Sequence, residues 1–172
     1  YMDDDQKFTS RRTDVLVYKT PILTEDLTLG GPVVADLMVA ISGTDADFVV
    51  KLIDVYPDNF EYETNKKDYL MSGYQQLVRG EIMRGKYRNS FEKPEAFVPY
   101  KPTTVKFTLP DVAHTFKKGH RMMIQIQSSW FPLVDRNPQQ FMNIYEAKDS
   151  DFKKATIRIY NDASVIQLPV IH

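Results

Sequence analysis

Residues 33–42, VVADLMVAIS, place Val33, Ala35, Leu37, Val39 and Ile41 at alternate positions. Successive side chains on a strand point to opposite faces, so this spacing predicts a half-buried β-strand. Residues 47–57, DFVVKLIDVYP, carry Phe48, Val50 and Leu52 on one face and Val49, Ile53 and Val55 on the other. A run apolar on both faces predicts a central strand. Weaker alternation recurs around Val105, Phe107 and Leu109, then Met122, Ile124 and Ile126, and then Ile157 and Ile159.

Turn-forming groups separate these runs: Gly30-Gly31-Pro32, Ser42-Gly43-Thr44-Asp45, Pro57-Asp58-Asn59, Pro110-Asp111, Lys118-Gly119 and Asn137-Pro138. Many short strands divided by turns predict an all-β sandwich or jelly roll. One long interruption, about residues 58–102, is rich in charge and Tyr and reads as an excursion of loop and short helix packed over one sheet.

With 172 residues the chain suits one well-buried domain. Its 22 basic and 23 acidic residues nearly cancel, leaving no broad field to attract nucleic acid or an anionic membrane. There is no Cys, so disulfides and thiolate chemistry are excluded. The opening YMDDDQK is no secretory signal, and no apolar run approaches the roughly 20 residues that span a bilayer. Membrane insertion is not expected. The Asp3-Asp4-Asp5 run reads as a solvated linker.

Candidate chemistry is sparse. No serine occupies the Gly-x-Ser-x-Gly elbow of an α/β-hydrolase; Ser42 and Ser72 read as turn serines. His114, His120 and His172 form no pair at metal-ligand spacing, so no metal or other cofactor is implied. Gly119-His120-Arg121 reads as a turn with a hydrogen-bonded histidine rather than a general base. Asp45 and Asp47 in GTDADF are a weak calcium signal. Asp54 ends an apolar strand and needs a partner, for which Arg79, Arg84, Arg88 and Arg121 are candidates. Trp130-Phe131-Pro132 opens a loop whose aromatics suit a sugar-binding face, a protein interface, or a place against the domain's own core.

The stretch FKKGHRMMIQIQSSWFPLVDRNP (116–138), taken with TDADFVVKLIDVYPD (44–58) and RGEIMRGKYR (79–88), resembles the C-terminal domain of the X-Pro dipeptidyl-peptidase and cocaine esterase superfamily of serine hydrolases. VLVYKTPILTEDLTLGGPVVADL (15–37) and SVIQLPV (164–170) extend the resemblance over nearly the whole chain, toward the α-amino acid ester hydrolases and glutaryl-7-aminocephalosporanic acid acylases. The long charged YPDNFEYETNKKDYLMSGYQQL (56–77) favours that branch over strict dipeptidyl-peptidases.

The resemblance implies a jelly-roll β-sandwich, often called galactose-binding-like, following an α/β-hydrolase domain with a helical cap. The Ser, Asp and His of the triad would lie upstream, so no residue here is catalytic. In the parent, Ser attacks, an acyl-enzyme forms and water hydrolyses it, with His as base. Residues 1–12 would be the linker from the hydrolase domain and 13–172 the jelly roll. Trp130, Phe131, Asp135, Arg136 and Asn137 are expected at the domain interface or active-site rim, and Asp54, Arg84, Gly119, His120 and Arg121 in structural roles. The expected partners are the upstream hydrolase and cap domains, with a homo-oligomer as a further expectation; a periplasmic or secreted location follows from the family alone. The alternative is a stand-alone carbohydrate-binding or oligomerisation module.

Overall fold

The computed structural model describes residues 3–60 and 71–171; residues 61–70 of the expected excursion lie outside them. A short helix α1 (Lys7–Ser10) is followed by strands β1 (Leu16–Lys19), β2 (Leu27–Ile41), β3 (Asp47–Val55), β4 (Gln75–Arg84), β5 (Thr103–Phe116), β6 (Arg121–Gln127), β7 (Ile157–Ile159), β8 (Val165–Gln167) and β9 (Val170–Ile171). They build two antiparallel sheets, one in the order β1-β6-β3-β4 and one in the order β5-β2-β7, with β8 and β9 also pairing along β2. This is a jelly-roll β-sandwich, as the alternation predicts.

The alternating residues of β2 meet those of β3 in the core. Val33, Ala35, Leu37, Val39 and Ile41 lie against Phe48, Val50 and Leu52, with Val105, Phe107 and Leu109 of β5 and Met122 and Ile126 of β6 completing the packing. Register is fixed because a slip of one residue would turn each apolar set toward water.

Two expected turns are bends inside long strands. Gly31 pairs with Val112 and Val33 with Leu109, so Pro32 on β2 and Pro110-Asp111 on β5 drop out of the ladder together. Proline has no N–H to give, and placing one on each strand at the same level confines the loss to one bulge. Gly31 supplies the φ of +126° that the bend needs. The excursion expected over about 58–102 likewise contains a full strand, β4, paired along the whole of β3 from Asp47–Arg84 to Val55–Gln75. Its sequence, QQLVRGEIMR, hides the period because a register shift opposite Leu52 and Ile53 breaks the alternation.

Strand β3 is buried on both faces from Asp47 to Asp54. Its second face is covered by the chain's own N-terminal stretch, residues 3–12. Gln6 N–H donates to Gln75 O at 3.0 Å, Asp5 Oδ1 accepts from Gln75 N–H at 3.1 Å, and the Gln6 and Thr9 side chains are buried. Beneath them lies Lys51, fully buried in mid-strand: its Nζ donates to Gln6 Oε1 at 3.0 Å and stands 4.9 Å above the Trp130 ring. Burial, aided by the charge of Arg12, lowers the Lys51 amine from 10.5 to about 8.

On the core face, the partner of Asp54 is not an arginine. Asp54 Oδ1 accepts from His120 Nδ1 at 2.8 Å and Oδ2 from His114 Nε2 at 2.9 Å, so one buried carboxylate ties β3 to the opposite sheet and to the start of β6. Tyr56 packs on His120 and Phe116 edges onto His114. The arginines are committed elsewhere: Arg79 to Asp111 O, Arg84 to Asp47, Arg88 to Glu95 O and Arg121 to Thr20 O. Gly119, at φ +88°, makes the turn that presents His120.

Two outcomes follow from these buried groups. Asp54→Ala should destabilise the chain by about 2–4 kcal/mol, because two imidazole donors lose their acceptor inside the fold, measurable by urea unfolding. The lowered Lys51 amine means that the unfolded chain binds more protons between pH 8 and 10.5, so this group makes stability rise across that window by up to about 3 kcal/mol. Lys51→Met should flatten that part of the urea-midpoint profile; an unchanged slope would contradict the burial argument.

Candidate functional site

Beyond β6 the chain folds back over the outer face of the first sheet. Trp130 is buried against the domain itself, one of the places left open for it by the sequence: its ring lies over Gly80 of β4, where a Cβ would come within 2.6 Å of Trp130 Cη2. Only glycine leaves space for the ring, and Lys51 closes its other flank. Val134 N–H donates to Trp130 O at 3.0 Å and closes the first turn of the loop. Phe131 and Leu133 are left outside, each more than half exposed. The Arg136 guanidinium lies over the rings of Phe131 and Phe152, at 5.8 and 4.9 Å from their centroids.

The far end of the loop is held by a buried polar lock. Asn137 Nδ2 donates to Asp45 Oδ2 at 3.1 Å and to Asp47 Oδ1 at 2.8 Å, while its Oδ1 accepts from Gln139 N–H. Arg84 grips Asp47 with two parallel bonds, Nε to Oδ1 at 3.0 Å and Nη2 to Oδ2 at 3.1 Å, and donates to Asp135 O at 3.0 Å. Asp45 Oδ1 accepts the backbone N–H groups of Ala46 and Lys86. Paired forks of this kind are geometrically exacting, so the lock fixes direction as well as distance.

The electrostatics are tight. Burial raises the Asp45 carboxyl above its ordinary value, and the neighbouring Asp47 charge pushes the same way against the bond from Asn137. Burial works against the Arg84 charge, but the bonds and charges of Asp47 outweigh it and its pKa is raised overall. The calcium reading of Asp45 and Asp47 fails on this geometry, since their oxygens are taken by Asn137, Arg84 and backbone N–H groups; among the described residues no group of three metal-type side chains converges.

Other loops gather on the same turn between β2 and β3. Phe97 N–H donates to Thr44 O, Phe141 N–H to Thr44 Oγ1 and Tyr100 N–H to Ile41 O. They expose Val98, Tyr100, Phe141 and Tyr145. Tyr100 and Gln139 adopt positive φ, 63° and 66°, a costly state for residues other than glycine that sharp turns impose.

Of the residues singled out from sequence, Arg84, Asp135 and Asn137 come together in the lock, Trp130, Phe131 and Arg136 frame the loop above it, and Asp54, Gly119 and His120 form the separate clamp between the sheets, beside Arg121. Each clamp imidazole bonds to Asp54, which links the two sheets. The buried Lys51 and its partner Gln6 were not singled out. A lysine inside the doubly apolar run VVKLI was the available signal.

Comparison with known proteins agrees with this architecture. Residues 2–165 match the X-Pro dipeptidyl-peptidase C-terminal non-catalytic domain. The chain is 32% identical over 170 residues to the cocaine esterase of Rhodococcus sp. (strain MB1 Bresler), covering 97% of this chain and 27% of that protein. Among solved structures, an aminopeptidase from the marine sediment archaeon Thaumarchaeota archaeon superposes with a TM-score of 0.91 at 46% identity, over 99% of this chain and 28% of the other. An α-amino acid ester hydrolase superposes with a TM-score of 0.91 at 44% identity, over 99% and 28%. The chain thus spans little more than a quarter of the length of these relatives. From strand order to sequence, the chain belongs to the X-Pro dipeptidyl-peptidase C-terminal non-catalytic domain family.

Proposed function

We propose that this domain serves a longer serine hydrolase acting on ester or amide bonds of acyl or aminoacyl compounds, and that residues 130–137 meet its hydrolase and cap domains at the rim of the active site. The observation that carries this is the contrast within the loop. Asn137, Arg84 and two buried aspartates hold it rigid, yet it lifts Phe131 and Leu133 into water. A free-standing domain gains nothing from fixing apolar side chains outward, whereas a docking surface needs them preorganised. The N-terminal stretch, along which an upstream domain would connect, packs on the same sheet face: Lys51 touches both Gln6 and Trp130. Catalysis itself belongs to the upstream part in this reading.

The sugar-binding alternative loses its platform, because Trp130 is buried between its loop and the outer sheet face instead of lying open to a pyranose ring.

Replacing Phe131 and Leu133 together by Ser in the longer enzyme should lower kcat/KM by about tenfold or more, or split one melting transition into two, while leaving the melting of the present chain nearly unchanged. Asn137→Ala should do both, costing this chain about 2–4 kcal/mol through two buried carboxylates that lose a donor. Normal kinetics and a single unshifted transition in the Ser variant would reject the docking role. The present chain by itself should hydrolyse no nitrophenyl ester; turnover that scales with the chain through further purification would reject the assignment of catalysis to an upstream part.

A further inference from the structure

Where edge strand β1 faces β7 and β8, the two sheets stand apart and leave a half-open pocket of about 220 Å³. Its walls are Leu37 and Ile166 from the β2 side and Ile124 and Ile126 from β6, with Ile159 of β7 between them. Among the described residues, polar side chains reach the lining only from Tyr18, Asn161 and Ser164, and no ionisable acid or base other than the Tyr18 phenol lines it. The Ser164 hydroxyl is engaged with the Met38 backbone N–H at 3.0 Å. Tyr18 donates its hydroxyl to Asn161 Oδ1 at 2.7 Å, which ties β1 to the turn after β7 beside the pocket.

Three physical facts select an occupant. A pocket walled by branched aliphatics offers water few hydrogen-bonding partners, and an apolar cavity of about 150 Å³ accepts benzene. The missing charges disfavour an ion, whose desolvation nothing here would offset. At about 220 Å³ the space is too small for an extended peptide. Beside the apolar walls stand an amide nitrogen of Asn161 able to donate and a phenolic oxygen of Tyr18 able to accept.

We propose that this cavity is a binding site for a small neutral organic molecule, with an aromatic or branched aliphatic body of about six to nine non-hydrogen atoms and one hydroxyl or carbonyl group. The apolar body fills the space between Leu37 and the isoleucines, and the polar group joins the Tyr18–Asn161 pair. The proposal is independent of the docking role, because the cavity shares no residue with the loop at 130–137.

Methyl NMR of the 172-residue chain, with isoleucine δ1 groups labelled, tests it using benzyl alcohol and benzene as probes. Both should give saturable shifts at Ile124, Ile126, Ile159 and Ile166, with benzyl alcohol the tighter. Tyr18→Phe should weaken benzyl alcohol several-fold and leave benzene unaltered, a readout that a general loss of stability would not produce. Ile166→Trp, which fills the space, should abolish both. Shifts that grow linearly without saturation, or that persist in Ile166→Trp, would overturn the proposal, as would equal weakening of the two probes in Tyr18→Phe.

Discussion

Strand β3 is buried on both faces, and much of this domain answers the demand that its second face be covered. The core face is satisfied by the opposite sheet, as in any sandwich. Among the described residues no third sheet covers the outer face, so short segments do the work: residues 3–12, with the one-turn helix α1, from one end of the sequence and Trp130 from the middle. Irregular backbone brings polar groups with it. Gln6, Gln75, Lys51 and Gln125 are buried there, and the fit tolerates acceptors left unpaired at Gln75, Gln125 and Gln127. Such a face is less stable than an apolar one of equal area, but its polar positions fix the covering segments in one arrangement.

The same division of labour recurs at the two ends of β3. At its start, Asp47 joins Arg84 and Asn137, directing the loop that carries Phe131. At its end, Asp54 joins two histidines, binding sheet to sheet. Each carboxylate is desolvated, and each is answered by charge-assisted or multiple hydrogen bonds rather than by solvent. One strand therefore sets both the spacing of the sandwich and the orientation of its exposed apolar loop.

The fold was largely legible because it rests on periodicity. Five runs of alternating residues fall in observed strands, and Asp54 was recognisable as a carboxylate in want of a partner. What escaped was set by long-range pairing. The prolines at 32 and 110 look like turn punctuation until the two strands are laid side by side. β4 looks irregular until its register shift is seen, and the histidine partners of Asp54 stand 60 and 66 residues away. At the candidate site, sequence singled out the loop, Asn137 and Arg84 but not Asp45 and Asp47 as the groups that hold them, since GTDADF offered only a weak calcium signal.

By itself, then, the sequence determined five of the strands, the sandwich and the family, because side-chain alternation and clustered motifs are local properties that survive without coordinates. Only the tertiary structure decided which aromatics face out. Trp130 and Phe131 are adjacent and chemically alike, yet one lies beneath the loop over Gly80 and the other stands in water. That choice depends on a glycine 50 positions earlier having no side chain, and on a lysine across the sheet filling the remaining gap. No pattern along the chain encodes such a coincidence of distant residues; it exists only once the strands are paired.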